Sequence, residues 1–450
     1  MAKEAFSRVH PGYTRYATEE DMQRAWAQIQ AKAELEQGLS VADLYLELAR
    51  ALTIIRCDHT AAQISSPMRR ERKGTPLYLP FRWRMIEDRA IIETVPEGSP
   101  LAFGDEILSI DGRPVTEIVE AVTPFIPVDG YTEWSRANEV SQESFFMGGG
   151  VDHFAPLLWD VPAIATLMIE TRQGARREVQ LARTTFSDWQ SMGDPSQRSF
   201  RDSVTFERLG TTGAYLRVNS FVNYLDPIKP KKVFDPIFKA LKKEGRTRLI
   251  LDLRKNGGGT DAVQFGLLKN LILEQFRPIK ENRAKTLDLD GIRQNLFSWD
   301  KSALNPSPIR FSKNPDGTYR LKRLFVSDLR TLKPGKHAFD GDLYVLIGPD
   351  NSSGSTNILA SLREVGRGVM IGAPTGGSAE GPTAGVLLTL TLPESGLRMT
   401  LPFYHVLNNT TKFDHGLGVS PDHKAPMTVA AFRARQDPAL AKAKALAGLD

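Results

Sequence analysis

The sequence predicts an α/β protein core preceded by a smaller β domain and a helical N-terminal region, and three patterns carry that prediction. Residues 18 to 56 have helical periodicity: Thr18-Glu19-Glu20-Asp21 is a capped start, and Leu44, Leu48, Leu52 and Ile55 form an apolar stripe. From about Leu77 the period changes to that of strands, as in Ala90–Val95 and again from Leu167 to Leu181, with Asp111-Gly112 as a tight hairpin turn. After Thr184 strands and helices alternate, with Tyr215–Phe221 as the first clear strand and extended segments near 249, 344, 369 and 387. Boundaries follow at 1–72, 73–186 and 187–450. Residues 120–165, rich in aromatics and carrying Gly148-Gly149-Gly150, read as an insertion in the β domain.

Composition narrows the class. The chain has 450 residues, 41% hydrophobic and 25% charged, as in soluble globular proteins. Its net charge of +5 is spread among nearly equal numbers of acids and bases. The densest basic run, Arg69-Arg70-Glu71-Arg72-Lys73, is short, contains an acid and reads as a solvated loop, so no nucleic-acid partner is expected. A single cysteine, Cys57, excludes an internal disulfide and a cysteine-rich zinc site. No His-Glu-x-x-His spacing exists, so neither a metal nor another cofactor is expected. No apolar run approaches the ~20 residues of a membrane span, and the N-terminus has no hydrophobic signal core.

Chemistry concentrates at two junctions. Leu343–Ile347 reads as a buried strand that runs through Gly348-Pro349-Asp350-Asn351-Ser352-Ser353-Gly354-Ser355 into a helix. Ser355 or a neighbour is its expected N-cap. A serine there has an exposed hydroxyl beside unpaired N–H groups at the positive end of a helix dipole. An acyl-transfer nucleophile needs that arrangement, because the developing oxyanion must meet donors already in place. The second junction is Arg248–Arg254, a buried strand, followed by Lys255-Asn256-Gly257-Gly258-Gly259. Three glycines let the backbone approach a ligand and turn N–H groups toward it. Neither Gly-Lys-Ser/Thr nor Gly-x-Gly-x-x-Gly is present, which removes a nucleotide site.

These blocks, with Gly366–Gly377, Asp58-His59-Thr60 and Gly418-Val419-Ser420-Pro421-Asp422, resemble the C-terminal processing peptidase family of serine proteases, which includes tail-specific protease and the tricorn core. Gly104-Asp105-Glu106-Ile107-Leu108-Ser109-Ile110-Asp111-Gly112 resembles a PDZ domain. Its carboxylate loop would be Leu79-Pro80-Phe81-Arg82-Trp83, which lacks the usual glycines. The resemblance implies a ClpP/crotonase-like protease core and a substrate of peptide or unfolded protein. It also implies export to the periplasm or outside the cell, with the cytoplasm as the alternative, and allows a homo-oligomer.

Carried over residue by residue, the resemblance gives Ser353 as the nucleophile, with Ser352 and Ser355 as competitors. The oxyanion donors are then the Gly354 amide and that of Gly257 or Gly258, typically worth ~3–4 kcal/mol per donor. The lysine of Ser–Lys relatives is missing: Ser378 holds its place, and no lysine lies between Arg367 and Lys412. The tricorn branch uses a histidine instead, and His59 stands at that place, with His415 as the alternative base. The orienting carboxylate is expected from Asp414, then Glu380. Asp58, next to His59 in sequence, is not expected to reach its ring. The function implied is a serine endopeptidase or carboxy-terminal processing protease. A binding protein with a decayed site and a serine esterase are the alternatives.

Overall fold

The computed structural model describes residues 1–142 and 147–449; residues 143–146 of the aromatic-rich insertion lie outside it. Helices Ala2–Val9, Glu19–Leu35 and Val41–Thr53 form the N-terminal region. Thr18 and Asp21 complete a reciprocal capping box, and Leu48, Leu52 and Ile55 are buried. Beyond the end of helix Val41–Thr53, Arg56 takes a left-handed φ of 57°, and the chain turns at Cys57–Thr60. Strand Ala62–Gln63 then pairs with Met399 and Arg398 of the core, which ties the turn down.

The basic run at 69–73 is not a loop. It lies in helix Ser66–Gly74, which Pro67 starts, and Arg72 is 6% exposed because its guanidinium donates to the His153 carbonyl at 2.9 Å.

The β domain is an antiparallel sheet ordered Arg82–Ile86, Arg89–Thr94, Glu106–Ile110, Ile164–Glu170 and Arg176–Ala182. Asp111 and Gly112 both take positive φ, 50° and 76°, in the hairpin after its third strand. Helices Val115–Val122, Arg136–Glu139 and Gly150–Leu158 follow before the fourth strand.

The core has two sheets. One runs His423–Lys424, Val369–Gly372, Asp342–Ile347, Arg248–Asp252, Gly213–Val218, Val204–Leu209, parallel except for the last strand, which precedes the first expected one. Leu249, Ile250, Leu251, Val345 and Leu346 are fully buried, which is why these strands read as continuous apolar runs. The other, antiparallel sheet centres on Thr383–Thr391 and Arg398–Asn408. Strands Arg248–Asp252 and Asp342–Ile347 are neighbours in register, Leu251 opposite Val345. Their C-terminal loops, the glycine loop and the serine turn, therefore emerge side by side, where open α/β sheets hold ligands.

Candidate active site

Asn351 is fully buried and fixes the serine turn. Its carbonyl oxygen accepts the Gly348 amide at 2.8 Å, and its amide donates to the Leu253 carbonyl and to Ser355 Oγ at 3.0 Å. Helix Ser353–Glu364 follows with Ser352 at the N-cap position. Of the expected caps, Ser355 or a neighbour, it is Ser352 that takes the position; Ser355 lies inside the helix, fully buried and bonded to Asn351, which removes it as a nucleophile. Ser353 has φ 49°, a left-handed backbone that costs a non-glycine residue energy. Among the described residues its Oγ has no hydrogen-bond partner, and neither the Ser353 nor the Gly354 amide meets a carbonyl.

The glycine loop packs on this turn. A Cβ on Gly258 would lie 2.9 Å from both Ser353 Cβ and the Gly354 nitrogen, and Gly258 has φ 102°. Its own N–H donates to Asn256 Oδ1 at 2.8 Å, so the expectation of an oxyanion donor there fails: the amide is taken. Gly257 is exposed, and its amide has no partner among the described residues. Among the described residues the amides of Ser353, Gly354, Gly257 and Gly259 meet no carbonyl, and those of Gly354 and Gly257 are the remaining donors the sequence expects.

The Cys57–Thr60 turn delivers a hydrogen-bonded chain to the same place. Ser352 Oγ donates to Asp58 Oδ2, and Asp58 Oδ1 lies 2.5 Å from His59 Nδ1. Burial pulls the imidazole down, but the Asp58 charge and hydrogen bond outweigh it, so His59 titrates above its ordinary value. Burial pushes Asp58 up, and the His59 charge with the His59 and Ser352 hydrogen bonds brings it below the usual carboxylate range. Asp129, 2% exposed, accepts the Ser378 amide at 2.8 Å; burial first, then the Asp58 charge, push it up to about 7. The imidazole thus sits near two carboxyls, the part-buried Asp58 and the buried Asp129.

Asp414 and Glu380 are not on the ring, which corrects the expected carboxylate. Asp414 is exposed, and its carboxylate makes no hydrogen bond or ion pair among the described residues. Glu380 accepts from Tyr16 Oη at 2.7 Å and from the Gly416 amide at 3.0 Å, and is ion-paired with Arg15 at 3.0 Å, pinning the N-terminal segment to the C-terminal turn. His415 lies 3.2 Å from Glu380 with its side chain 59% exposed. Asp58 reaches His59 because the two occupy the middle of a turn; in a strand their side chains would diverge. Lys255 extends toward the serine turn but pairs with Asp350 at 2.8 Å. Cys57, Asp58 and His59 bring three ligand-type atoms within 4.8 Å, yet the Cys57 thiol is bonded to Thr383 Oγ1 at 2.6 Å and burial pushes it up to about 12. The thiolate a metal needs is therefore disfavoured.

Residues 212–425 match the model of peptidase family S41, and 76–188 match that of a PDZ domain. The chain carries a peptidase family S41 domain. It is a serine-type peptidase joined to a PDZ domain. A comparison of the sequence with curated proteins finds no match. Two solved structures of mature CPAF share the S41 peptidase's fold at 16% identity. The complex with lactacystin has a TM-score of 0.68 over 100% of this chain and 97% of that one. The uncomplexed form has 0.66 over 99% and 94%. The photosystem II D1 C-terminal processing protease is 16% identical over 95% of this chain and 92% of its own, with a TM-score of 0.47.

Beside the S41 peptidase's glycine loop lies an open polar cleft of about 510 Å³ between the core and the PDZ domain. Gly257, Lys255 and Asp350 line its core side, and Arg84, Glu93 and Gln142 its PDZ side. Sequence reasoning missed Asp129 altogether. Nothing local marks it, because its role depends on a contact with Ser378, far along the chain. No described helix is long and apolar enough to cross a membrane.

Proposed function

We propose that this peptidase cleaves internal bonds of extended peptides or unfolded protein with Ser353 as nucleophile, His59 as base and Asp58 as the group that orients the ring. Ser353 Oγ attacks the scissile carbonyl while His59 Nε2 takes its proton; the tetrahedral oxyanion meets the Gly354 and Gly257 amides. Collapse sends the proton from His59 to the leaving amine and leaves an acyl-Ser353. Water, deprotonated by His59, then frees the acid. The observation that carries this reading is the strained Ser353 at a helix start, flanked by two open amides and by the Ser352–Asp58–His59 chain. Ser353 Oγ and His59 are not yet hydrogen-bonded to one another, and such bonds commonly close only when substrate is bound. Ser378 and the pairing of Lys255 with Asp350 argue against a Ser–Lys dyad.

By family resemblance the reading also carries export to the periplasm or beyond, with the cytoplasm as the alternative, and allows a homo-oligomer; cell fractionation and light scattering test the two. The catalytic reading is tested by the hydrolysis of unfolded casein. Wild type is expected to degrade it and Ser353→Ala to leave it intact; degradation by a folded Ser353→Ala protein removes Ser353 from the mechanism.

A further inference from the structure

A PDZ domain binds a peptide by adding it as a strand to an exposed sheet edge, and backbone amides can capture a terminal carboxylate. In this chain both features are already occupied, by the insertion. Strand Arg82–Ile86 is the edge of its sheet, and helix Arg136–Glu139 packs against it. Just after that helix, Gln142 Nε2 donates to the Trp83 carbonyl at 2.8 Å, an acceptor that an added strand would use. The loop that leads into the strand fares likewise. The Leu79 amide donates to Asp152 Oδ1 at 3.3 Å, and Asp152 comes from helix Gly150–Leu158 with 3% exposure.

Burial along this edge is that of an occupied groove. Leu79 is 2% exposed, Phe81 0% and Trp83 1%, where an empty peptide site would leave apolar side chains to solvent. The hole that remains beside Leu79 and Asp152 is about 40 Å³, room for a few waters at most and not for a peptide end. The glycines that enter the helix explain how it seats so closely. A Cβ on Gly149 would lie 2.7 Å from the Ser141 backbone, and one on Gly148 would lie 2.9 Å from the Tyr78 ring.

We propose that the insertion is a built-in ligand of the PDZ domain: Asp152 stands at the entry loop in place of a substrate's C-terminal carboxylate, residues 136–142 stand on the edge strand in place of its backbone, and the peptidase therefore selects substrates without reading their C-termini. This rests on the endopeptidase reading above and names its substrate class: internal stretches of unfolded chain, whatever the tail. The open polar cleft beside Gly257 is lined on its PDZ side by Arg82 and Arg84 of the edge strand and by Asn138 and Gln142 of the insertion, so a substrate that enters it passes the filled edge.

The test uses the full chain and one peptide in two forms, free acid and C-terminal amide. The wild type is expected to cleave both with kcat/KM within about twofold, and the Ser353→Ala protein to bind both with equal Kd by fluorescence anisotropy. A tenfold or greater preference for the free acid in either measurement overturns the proposal. A Gln142→Ala/Asp152→Ala protein that keeps its circular dichroism and melting cooperativity is expected to gain a preference for the free acid. A folded double variant without that gain shows that these two residues are not what fills the site. Casein hydrolysis, run alongside, keeps the two readings apart: a wild type inactive on casein faults the catalytic reading, while the anisotropy comparison still decides this one.

Discussion

The glycine loop at 257–259 and the entry loop at 79–81 of the PDZ domain both turn backbone amides toward a groove, yet they end in opposite states. At the glycine loop the Gly257 amide faces an open cleft, and the neighbouring Gly354 amide has no partner although its residue is buried. A buried donor left unpaired costs about 1–3 kcal/mol. Beside Ser353, itself held at φ 49°, that cost has the character of a site kept ready for a charge that appears only during reaction. At the entry loop the Leu79 amide is satisfied by Asp152, and the strand behind it is covered. A backbone amide is thus left open in one place and satisfied in the other. What separates them is whether the rest of the chain supplies the partner.

The sharpest way to break this comparison is at the open loop. Ser353→Ala should lower casein hydrolysis by at least about 10³-fold without changing the melting temperature. His59→Ala should cost about 10²–10⁴-fold, as removal of a general base does. His415→Ala should keep most activity; the reverse pattern would move the base to the C-terminal turn.

Asp58→Asn comes next, with an expected loss of up to about 10⁴-fold and a shifted pH profile. A protonated imidazole cannot accept the Ser353 proton, and the Asp58 charge raises the His59 pKa. Wild-type kcat/KM should therefore fall on acidification through a midpoint above the ordinary histidine value of ~6.5. In Asp58→Asn burial acts without the opposing charge, so the midpoint should move to lower pH. An unmoved midpoint in a stopped pH–rate series would remove Asp58 from the ring.

Smaller effects separate the two glycines. Gly258→Ala forces a side chain into left-handed backbone and onto the Gly354 nitrogen at 2.9 Å, so it should lower both kcat and the melting temperature, by about 1–3 kcal/mol of strain. Gly257→Ala meets only the Asp350 carbonyl, 3.8 Å away, and keeps its N–H; steady-state kinetics should find kcat little changed. Equal losses in both would mean that the loop is read by its shape and not by the Gly257 amide. Smallest of all is Asp414→Asn, which alters a solvated carboxylate and should leave activity within about twofold.

Much of this was legible in the sequence because it is locally encoded. Strand, small polar turn and helix identify the serine junction; three glycines after a buried strand identify its companion; Asp111-Gly112 identifies a hairpin whose two positive φ angles are what that dipeptide favours. His59 was singled out by the family resemblance, in the Asp58-His59-Thr60 block that follows the helix stripe. The sequence could not show that Asp58 turns onto His59. That depends on a left-handed Arg56 and on a strand pair between Ala62 and Met399, a partner more than 300 residues away. Nor could it show that Asn256 takes the Gly258 amide, since side-chain direction in a glycine loop is set by the packed turn. The basic run at 69–73 misled for a related reason: charge density resembles a solvated loop until Arg72 finds a carbonyl to bury against. The occupied PDZ edge belongs to this second kind, because no local pattern says what an insertion folds back onto.

The central claim is that Ser353, and not its neighbour in the hydrogen-bonded chain, is the nucleophile. A fluorophosphonate probe reacts covalently with an activated serine, and peptide mapping by mass spectrometry locates the adduct. The account predicts a single adduct on Ser353, lost in His59→Ala. An adduct on Ser352, or labelling of Ser353 that is undiminished in His59→Ala, would contradict it.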